Sequence, residues 1–176
     1  MRFLIALPFV FILSFPSFSQ EKIQWMSFEQ AVEKNKTDKK KFLIDVYTDW
    51  CGWCKRMDAN TFTNPHIIEY VNKNYHPVKL NAEMSDTVRL GEQVFVNENP
   101  SGRRSAHQLA IALLNGKMSY PTIVYLDENA NMLSPVAGYM EADAIEPVLK
   151  YYGENAYKNT SWEEYQKSFE GVCKPK

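Results

Sequence analysis

The sequence predicts an α/β domain with a central mixed sheet flanked by helices. Helical and strand patterns alternate along residues 27–126, which is typical of strands joined by helical crossovers. Residues 42–47 form a nearly continuous apolar run that is too short for a helix and suits a central strand buried on both faces. After the strand at 122–126, a turn and residues 132–137 predict a hairpin, which adds an antiparallel pair. The helical crossovers join parallel strands and the hairpin joins antiparallel strands, so the predicted sheet is mixed.

The first half of the chain begins with a helix whose start is marked by a capping box. Ser27 and Gln30 are spaced so that each side chain can bond the other residue's backbone N–H. The basic turn at 39–41 is expected to end this helix, since cations favour a helix C-terminus. The strand at 42–47 then leads through a short turn into a second helix, which is predicted to begin at Cys51.

The middle of the chain predicts a third helix, a second strand and a long polar segment. Asn64 followed by Pro65 is typical of a helix cap and a first helical residue. Residues 76–81 predict the strand. Residues 83–102 are polar and contain a cluster of turn-forming residues, so we expect a helix followed by a loop. The apolar spacing of residues 109–114 predicts an amphipathic helix.

Two more helices are predicted after the hairpin. The first covers residues 144–152, with Pro147 confined to its first turn, where a missing N–H is tolerated. The second begins with another capping box, formed by Ser161 and Glu164, and is expected to run to Phe169.

Size and charge restrict the classes of protein to which this chain can belong. The chain has 176 residues, which suits a single domain, and 45% of them are hydrophobic, enough for a packed core. Its 20 Lys and Arg residues against 21 Asp and Glu residues give no bulk attraction to nucleic acid. Its three cysteines cannot close into a fully paired disulfide framework. We therefore expect neither a nucleic-acid partner nor a disulfide-stapled mini-protein.

Residues 1–19 have the pattern of a cleaved signal peptide. Arg2 supplies a positive start, an apolar stretch follows, and Ser17 and Ser19 provide the small residues of a cleavage site. A membrane anchor is the alternative, but Pro and Ser interrupt the apolar stretch too early for a spanning helix. We therefore expect residues 20–176 to be a single exported domain, not inserted in a membrane, in a compartment where disulfides persist.

The chemistry of the chain centres on Cys51 and Cys54. Two cysteines three residues apart on the first turn of a helix hold their sulfurs close enough to bond. The helix N-terminus presents free N–H groups and a positive dipole end to the first sulfur, which lowers the pKa of that thiol. Such a pair suits reversible thiol–disulfide exchange. The alternatives are a purely structural disulfide and a zinc site. The remaining candidate zinc ligands are His66, His76, His107 and Cys173.

The residues around this pair resemble a known family. The stretch 43–55, which contains Trp-Cys-Gly-Trp-Cys-Lys, is similar to the active-site segment of thioredoxin-like proteins. Residues 61–65 and 78–81 resemble the thioredoxin-like domain of bacterial thiol:disulfide interchange proteins and of their small secreted relatives. Residues 120–122, Tyr-Pro-Thr, match the family's cis-proline loop.

The resemblance implies a thioredoxin fold with two additions. The segment between Lys79 and Pro121 is longer than in thioredoxin, so we expect an insertion before the cis-Pro loop. An extra C-terminal helix follows Gly153. The dipeptide Gly52-Trp53 lacks the proline that is familiar between the cysteines of thioredoxin, so the redox potential of thioredoxin cannot be transferred to this chain.

The same resemblance implies catalytic roles for five residues. Cys51 is the exposed thiol that attacks, and Cys54 is the buried thiol that resolves. Asp45 matches a buried carboxylate beneath the disulfide, whose raised pKa lets it take the proton from Cys54, and Lys79 matches the lysine that faces it. A plain structural ion pair between Asp45 and Lys79 is the alternative. Pro121 is expected to be cis, the alternative being a trans proline in an ordinary turn.

The implied substrate site surrounds these residues. Tyr120 is expected to pair its backbone with an extended substrate strand. Trp53 either stacks on the substrate or only covers the start of its helix. The full set of expected substrate-binding positions is Trp50, Gly52, Trp53, Tyr120 and Thr122.

The function that this resemblance implies is an exported thiol–disulfide oxidoreductase that reduces or exchanges protein disulfides, in the periplasm or outside the cell if the chain is bacterial. Its partners would be protein disulfide substrates and a separate electron donor, such as a membrane thiol:disulfide carrier, and it would need no cofactor and no metal. An oxidase or isomerase with the same thiols, and a non-catalytic partner-binding module, are the alternatives. Cys173 lies in a polar tail that is expected to be mobile and dispensable for exchange.

Overall fold

The computed structural model describes residues 21–175, so the expected signal peptide lies outside the described residues. The helices are α1 (Phe28–Lys34), α2 (Gly52–Asn60), α3 (Pro65–Asn74), α4 (Gln108–Leu113), α5 (Ala142–Gly153) and α6 (Trp162–Ser168). The strands are β1 (Lys41–Tyr47), β2 (Tyr75–Asn81), β3 (Val88–Leu90), β4 (Gln93–Phe95), β5 (Thr122–Leu126) and β6 (Met132–Ala137). A 3₁₀ turn at Ala156–Lys158 precedes α6. In this part of the chain, no helix is long and apolar enough to cross a membrane.

The main sheet has four strands in the order β2-β1-β5-β6. β1 pairs with β2 in parallel and with β5 antiparallel, and β6 completes the expected hairpin with β5. The sheet is therefore mixed, as predicted. β1 is central, and all its residues except Tyr47 are buried, which explains why its sequence is a continuous apolar run interrupted by one carboxylate.

The two faces of the sheet carry different helices because side chains alternate along each strand. Leu43 of β1 packs on one face with residues of α2, α3 and α5. Ile44 and Val46 point to the other face, where α1 and α4 cover them. The site is built on the first face, because α2 contains Cys54 and has Cys51 as its N-cap.

The helix starts were predicted better than the helix ends. Both capping boxes form, at Ser27 and at Ser161, and Asn64 caps α3 with Pro65 in its first turn. The expectation that residues 39–41 end the first helix is wrong, because α1 already ends at Lys34. Lys41 instead begins β1, and its buried ammonium lies 2.6 Å from the Glu128 carboxylate.

The expected helix in residues 83–102 is also wrong. This segment forms the short β3–β4 hairpin, whose turn contains Gly91 at φ +58°. Val88 is buried against α1 and α4, while Arg89 is exposed and donates its backbone N–H to Glu29. β3 and β4 have only three residues each, so the alternation of apolar and polar residues in them is too short to be distinguished from a loop.

The expectation that Pro147 lies in the first turn of its helix is also wrong. Pro147 lies inside α5, beyond the first turn, because the helix begins at Ala142 rather than at residue 144. The helix ends at Gly153, and the following Asn155 adopts a left-handed backbone conformation, with φ +62°.

Candidate active site

The candidate site begins with a disulfide between Cys51 and Cys54 at the start of α2. Cys51 is the N-cap of this helix, and its Sγ accepts a hydrogen bond from the backbone N–H of Cys54 at 3.1 Å. Cys51 is 5% exposed and Cys54 2%, so the expectation of an exposed attacking sulfur is not met in the oxidised state.

Asp45 and Lys79 lie directly opposite each other in the paired strands β1 and β2. The Lys79 Nζ donates to Asp45 Oδ2 at 2.5 Å, and the second carboxylate oxygen, Oδ1, is buried and has no hydrogen-bond partner among residues 21–175. Burial raises the pKa of Asp45 to about 6, although the neighbouring Lys79 lowers it. The expected ion pair is therefore present, and it contains a carboxylate that can hold a proton near neutral pH.

Asp58 is a charged member of this group that the sequence analysis missed. Lys79 donates to its carboxylate as well as to Asp45. Burial lowers the pKa of Lys79, but the two carboxylates outweigh burial and the pKa is raised overall. Asp58 follows Cys54 by four residues, and this i, i+4 spacing on one helix face is the signal that could have identified it.

The ammonium of Lys79 is also enclosed by aromatic rings. It lies 5.0 Å from the ring centre of Tyr47, 5.1 Å from that of Trp25 and 5.7 Å from that of Phe62. Trp25 reaches this place because the segment before α1 bridges to β2 at Met26. A hollow of about 410 Å³, lined in part by Trp25, Phe62, Asp58 and Lys79, connects this group to solvent.

The Tyr120–Pro121 peptide bond is cis, as expected. Within residues 21–175, neither backbone group of Tyr120 has a hydrogen-bond partner, although Pro121 next to it accepts from the N–H of Gly138. Thr122 is buried, and its hydroxyl donates to the carbonyl of Ser119 at 2.8 Å. The Thr122 side chain therefore braces the loop, while the Tyr120 backbone is free for a further strand.

Two tryptophans give the site an exposed aromatic surface. Trp50 is 51% exposed and Trp53 55% exposed. Trp50 packs edge-on against Tyr120, with ring centres 5.9 Å apart, and Trp53 lies 5.3 Å from Tyr139. Gly52, between the cysteines, faces open space. Four of the expected substrate positions thus lie together around the disulfide.

Two of the three histidines named as alternative zinc ligands have structural partners, and the third, His66, is exposed. His76 and His107 are both fully buried, and each has its Nε2 within hydrogen-bond distance of a backbone carbonyl, that of Asp38 and that of Asp86 respectively. Burial lowers the pKa of His76. No group of three His, Cys, Asp or Glu side chains suited to a metal ion is found in the described part of the chain.

Cys173 does not lie in a mobile tail, contrary to expectation. It is 7% exposed, and the backbone N–H groups of Val172 and Cys173 donate to the carboxylate of Glu146 at 3.1 and 2.8 Å. Burial, with the Glu146 carboxylate beside it, raises the pKa of the thiol to about 12. The polar sequence of the tail gave no signal of this anchoring, because backbone N–H groups make the contact.

Comparison with known proteins assigns this arrangement to a family. The family described as "Thioredoxin-like domain" matches residues 28–153. The chain belongs to the thioredoxin-like family. The matched range contains the Cys51–Cys54 disulfide, and the expected family is confirmed.

Individual relatives support the same family. The thiol:disulfide interchange protein DsbD of Photorhabdus laumondii is 26% identical over 129 residues, which are 72% of this chain and 19% of the relative. The chain therefore spans less than a fifth of that protein. A solved structure of a DsbH oxidoreductase has a TM-score of 0.54 at 18% identity, over 84% of this chain and 95% of the other.

The fold is confirmed by a solved thioredoxin. The thioredoxin of Thermus thermophilus has a TM-score of 0.55 at 12% identity, with 85% of this chain and 99% of the other covered. The expected thioredoxin fold is thus correct, and α6 is the expected extra C-terminal helix, since it lies beyond the residues that match the family.

Proposed function

We propose that this protein reduces disulfide bonds of other proteins through the Cys51–Cys54 couple. The observation that carries the proposal is the position of Cys51 as the cap of α2, with its sulfur accepting the Cys54 N–H. After reduction, the same N–H and the helix dipole stabilise a thiolate on Cys51. A stabilised thiolate is both the attacking group and a good leaving group in exchange.

The proposed reaction has two steps. The Cys51 thiolate attacks a substrate disulfide, forms a mixed disulfide and releases one substrate thiolate, which takes a proton from water. Cys54 loses its proton and attacks the Cys51 sulfur, which releases the second substrate thiolate and restores the Cys51–Cys54 disulfide. The protein is oxidised by two electrons and the substrate is reduced by two.

Asp45 is proposed to take the proton of Cys54 in the second step. In the described part of the chain its Oδ1 has no hydrogen-bond partner, and its pKa of about 6 leaves the carboxylate mostly ionised at pH 7 and still basic enough to accept a proton. Lys79 and Asp58 line the hollow that leads to solvent, so they provide the way out for this proton.

We further propose that the protein works outside the cytoplasm, with a separate donor that returns electrons to the disulfide. The signal-peptide pattern of residues 1–19 supports export, and the DsbD relatives are named as thiol:disulfide interchange proteins. Exported protein disulfides would be the substrates, and a membrane thiol:disulfide carrier would be the donor.

Reduction of insulin by dithiothreitol tests this proposal against a non-catalytic binding module. We expect the protein to accelerate insulin precipitation and a Cys51→Ser variant to leave it at the uncatalysed rate. A wild-type rate equal to the uncatalysed one would favour the binding module.

The direction of electron flow is tested by the redox potential of the Cys51–Cys54 couple in glutathione buffers. Reductants of this fold lie near about −270 mV and strong oxidants near about −120 mV. We expect a value closer to the first. A value near the second would make the protein an oxidase.

Replacing Cys173 by Ser is expected to leave insulin reduction unchanged. With a pKa of about 12, about one Cys173 thiol in 10⁵ is ionised at pH 7, too few to exchange disulfides. In the reduced native protein, Ellman's reagent should therefore titrate Cys51 and Cys54 but not Cys173. Loss of activity in a Cys173→Ser variant with an intact fold would instead make Cys173 a third redox thiol.

A further inference from the structure

Each of the two exposed tryptophans at the disulfide carries an arginine over its ring. The guanidinium carbon of Arg104 lies 4.9 Å from the ring centre of Trp50, and that of Arg56 lies 5.4 Å from the ring centre of Trp53. We call these contacts the two arginine–tryptophan pairs. Trp50 directly precedes Cys51, and Trp53 lies between the two cysteines. The site thus has a cation stacked on an aromatic ring at both positions.

The pairs come from distant parts of the chain. Arg56 is on α2, whereas Arg104 belongs to the segment between Lys79 and Pro121, which is expected from the family resemblance to contain an insertion. The loop that carries Arg104 is fixed by Asn97, a buried side chain that donates to the carbonyls of Met84 and Ser105 and accepts from the Ser105 hydroxyl. The Asn97 hydrogen bonds therefore fix the loop in which Arg104 lies against Trp50.

The positive charge of both pairs remains available. In residues 21–175, no carboxylate lies within salt-bridge distance of Arg56 or Arg104, and neither side chain donates a hydrogen bond. Two carboxylates next to the tryptophan and tyrosine rings keep their charge but accept from neutral donors, and within residues 21–175 neither forms an ion pair with Arg56 or Arg104. Trp50 donates its indole N–H to Glu83, and the hydroxyl of Tyr139 donates to Glu141. Both guanidinium groups keep their N–H donors for an incoming anion.

We infer that the two arginine–tryptophan pairs are an acidic-peptide clamp, and that the preferred substrates are extended segments with carboxylates on both sides of the reacting cysteine. This inference rests on the proposed function. The free backbone groups of Tyr120 accept an extended chain beside the disulfide, and the residues two positions before and after the cysteine leave such a chain on the same face as the cysteine. A guanidinium binds a carboxylate through two parallel N–H···O bonds.

The clamp is tested with three peptides that differ only at two positions, two residues before and two residues after a single cysteine, where the residues are Glu, Gln or Lys. The cysteine is joined to 2-mercaptoethanol, an uncharged thiol, so that the reduced protein converts each peptide disulfide to peptide thiol and mercaptoethanol. Stopped-flow rates measure kcat/KM. We expect the Glu peptide to react about tenfold faster than the Gln peptide, since an exposed ion pair contributes about threefold and there are two.

The variants Arg56→Gln and Arg104→Gln should each remove about threefold of this preference, and the double variant should remove all of it. Arg89→Gln is the matched control, because Arg89 is equally exposed but lies on β3, beside Glu29 of α1. At about 1 M salt, where the Debye length is about 3 Å, the preference should largely disappear in the wild type.

Equal rates for the three peptides overturn the clamp, and so does an Arg89→Gln effect as large as that of Arg104→Gln. A failure of the proposed function gives a different result, namely no reduction of insulin or of any peptide. In that case, the clamp is tested by binding alone. The same peptides are made with Ser in place of Cys, and their affinity for the protein is measured by tryptophan fluorescence. A preference for Glu that the double variant loses supports the clamp, and equal binding overturns it.

Discussion

A Cys54→Ser variant is expected to be trapped on its substrates as mixed disulfides through Cys51. The attacking sulfur stays at the N-terminus of α2, where the helix dipole stabilises its thiolate, but the thiol that would release the substrate is gone. Turnover should fall to the uncatalysed rate, while adducts accumulate in producing cells. After alkylation, non-reducing gels should show a ladder of adducts that collapses to a single band with dithiothreitol.

The matched control is Cys51→Ser, which keeps Cys54 as the single active-site thiol. Cys54 lies inside α2 and lacks the N-cap position that stabilises a thiolate on Cys51, so we expect almost no ladder from this variant. Both variants should be made in a Cys173→Ser background, which removes the remaining cysteine. A ladder from Cys51→Ser and none from Cys54→Ser would reverse the assigned roles of the two sulfurs.

The central part of the fold and the reactive pair were predictable because their signals are local. The β1 run, the Asn64-Pro65 start of α3 and the spacing of Cys51 and Cys54 each fix one element through a few neighbouring residues. The Asp45–Lys79 pair came from family resemblance, and the structure explains it by the register of β1 and β2. Register joins residues that are distant in sequence, which periodicity alone does not reveal.

The features of the site that the sequence did not reveal depend on contacts between residues that are distant in the chain. Trp25 covers Lys79 because of a single bridge to β2, and Arg104 reaches Trp50 through a loop held by Asn97. Neither contact follows a repeat, a cap or a spacing rule. The anchoring of Cys173 on Glu146 is of the same kind. Local sequence patterns therefore identified the reacting cysteines, whereas the residues that surround them could be identified only from the three-dimensional structure.

Asp45→Asn is expected to make the protein more stable at neutral pH. In the unfolded chain the carboxyl titrates near its ordinary pKa of 3.8, and burial raises the pKa in the folded protein to about 6. Between these values the folded state binds more protons, so stability falls as the pH rises through this window. About two pKa units correspond to about 3 kcal/mol, which is lost above pH 6 in the wild type. Asn imitates the protonated carboxyl and avoids this loss.

The stability difference should therefore depend on pH in a defined way. Urea unfolding of oxidised wild type and Asp45→Asn should agree below pH 4, and at pH 8 the variant should be more stable by about 3 kcal/mol. The melting temperature should rise by about 6–12 °C. Asp49→Asn is the control, since Asp49 is exposed on the turn before Cys51 and no burial is relieved there. Equal stability at pH 8 would mean that the ion pair with Lys79 fully offsets the burial of Asp45.

The same Asp45→Asn variant should release substrates more slowly, although it is more stable. Formation of the mixed disulfide needs only the Cys51 thiolate, whereas its resolution requires the proton of Cys54 to leave a buried site. Loss of a general base typically costs about 100-fold or more, so resolution should slow by about that factor while formation changes little. In the wild type, resolution should accelerate as the pH rises through about 6, where Asp45 ionises, and the variant should lose this step. Stopped-flow fluorescence of Trp50 and Trp53 separates the two phases, and unchanged rates in both would reduce Asp45 to a structural ion-pair partner of Lys79.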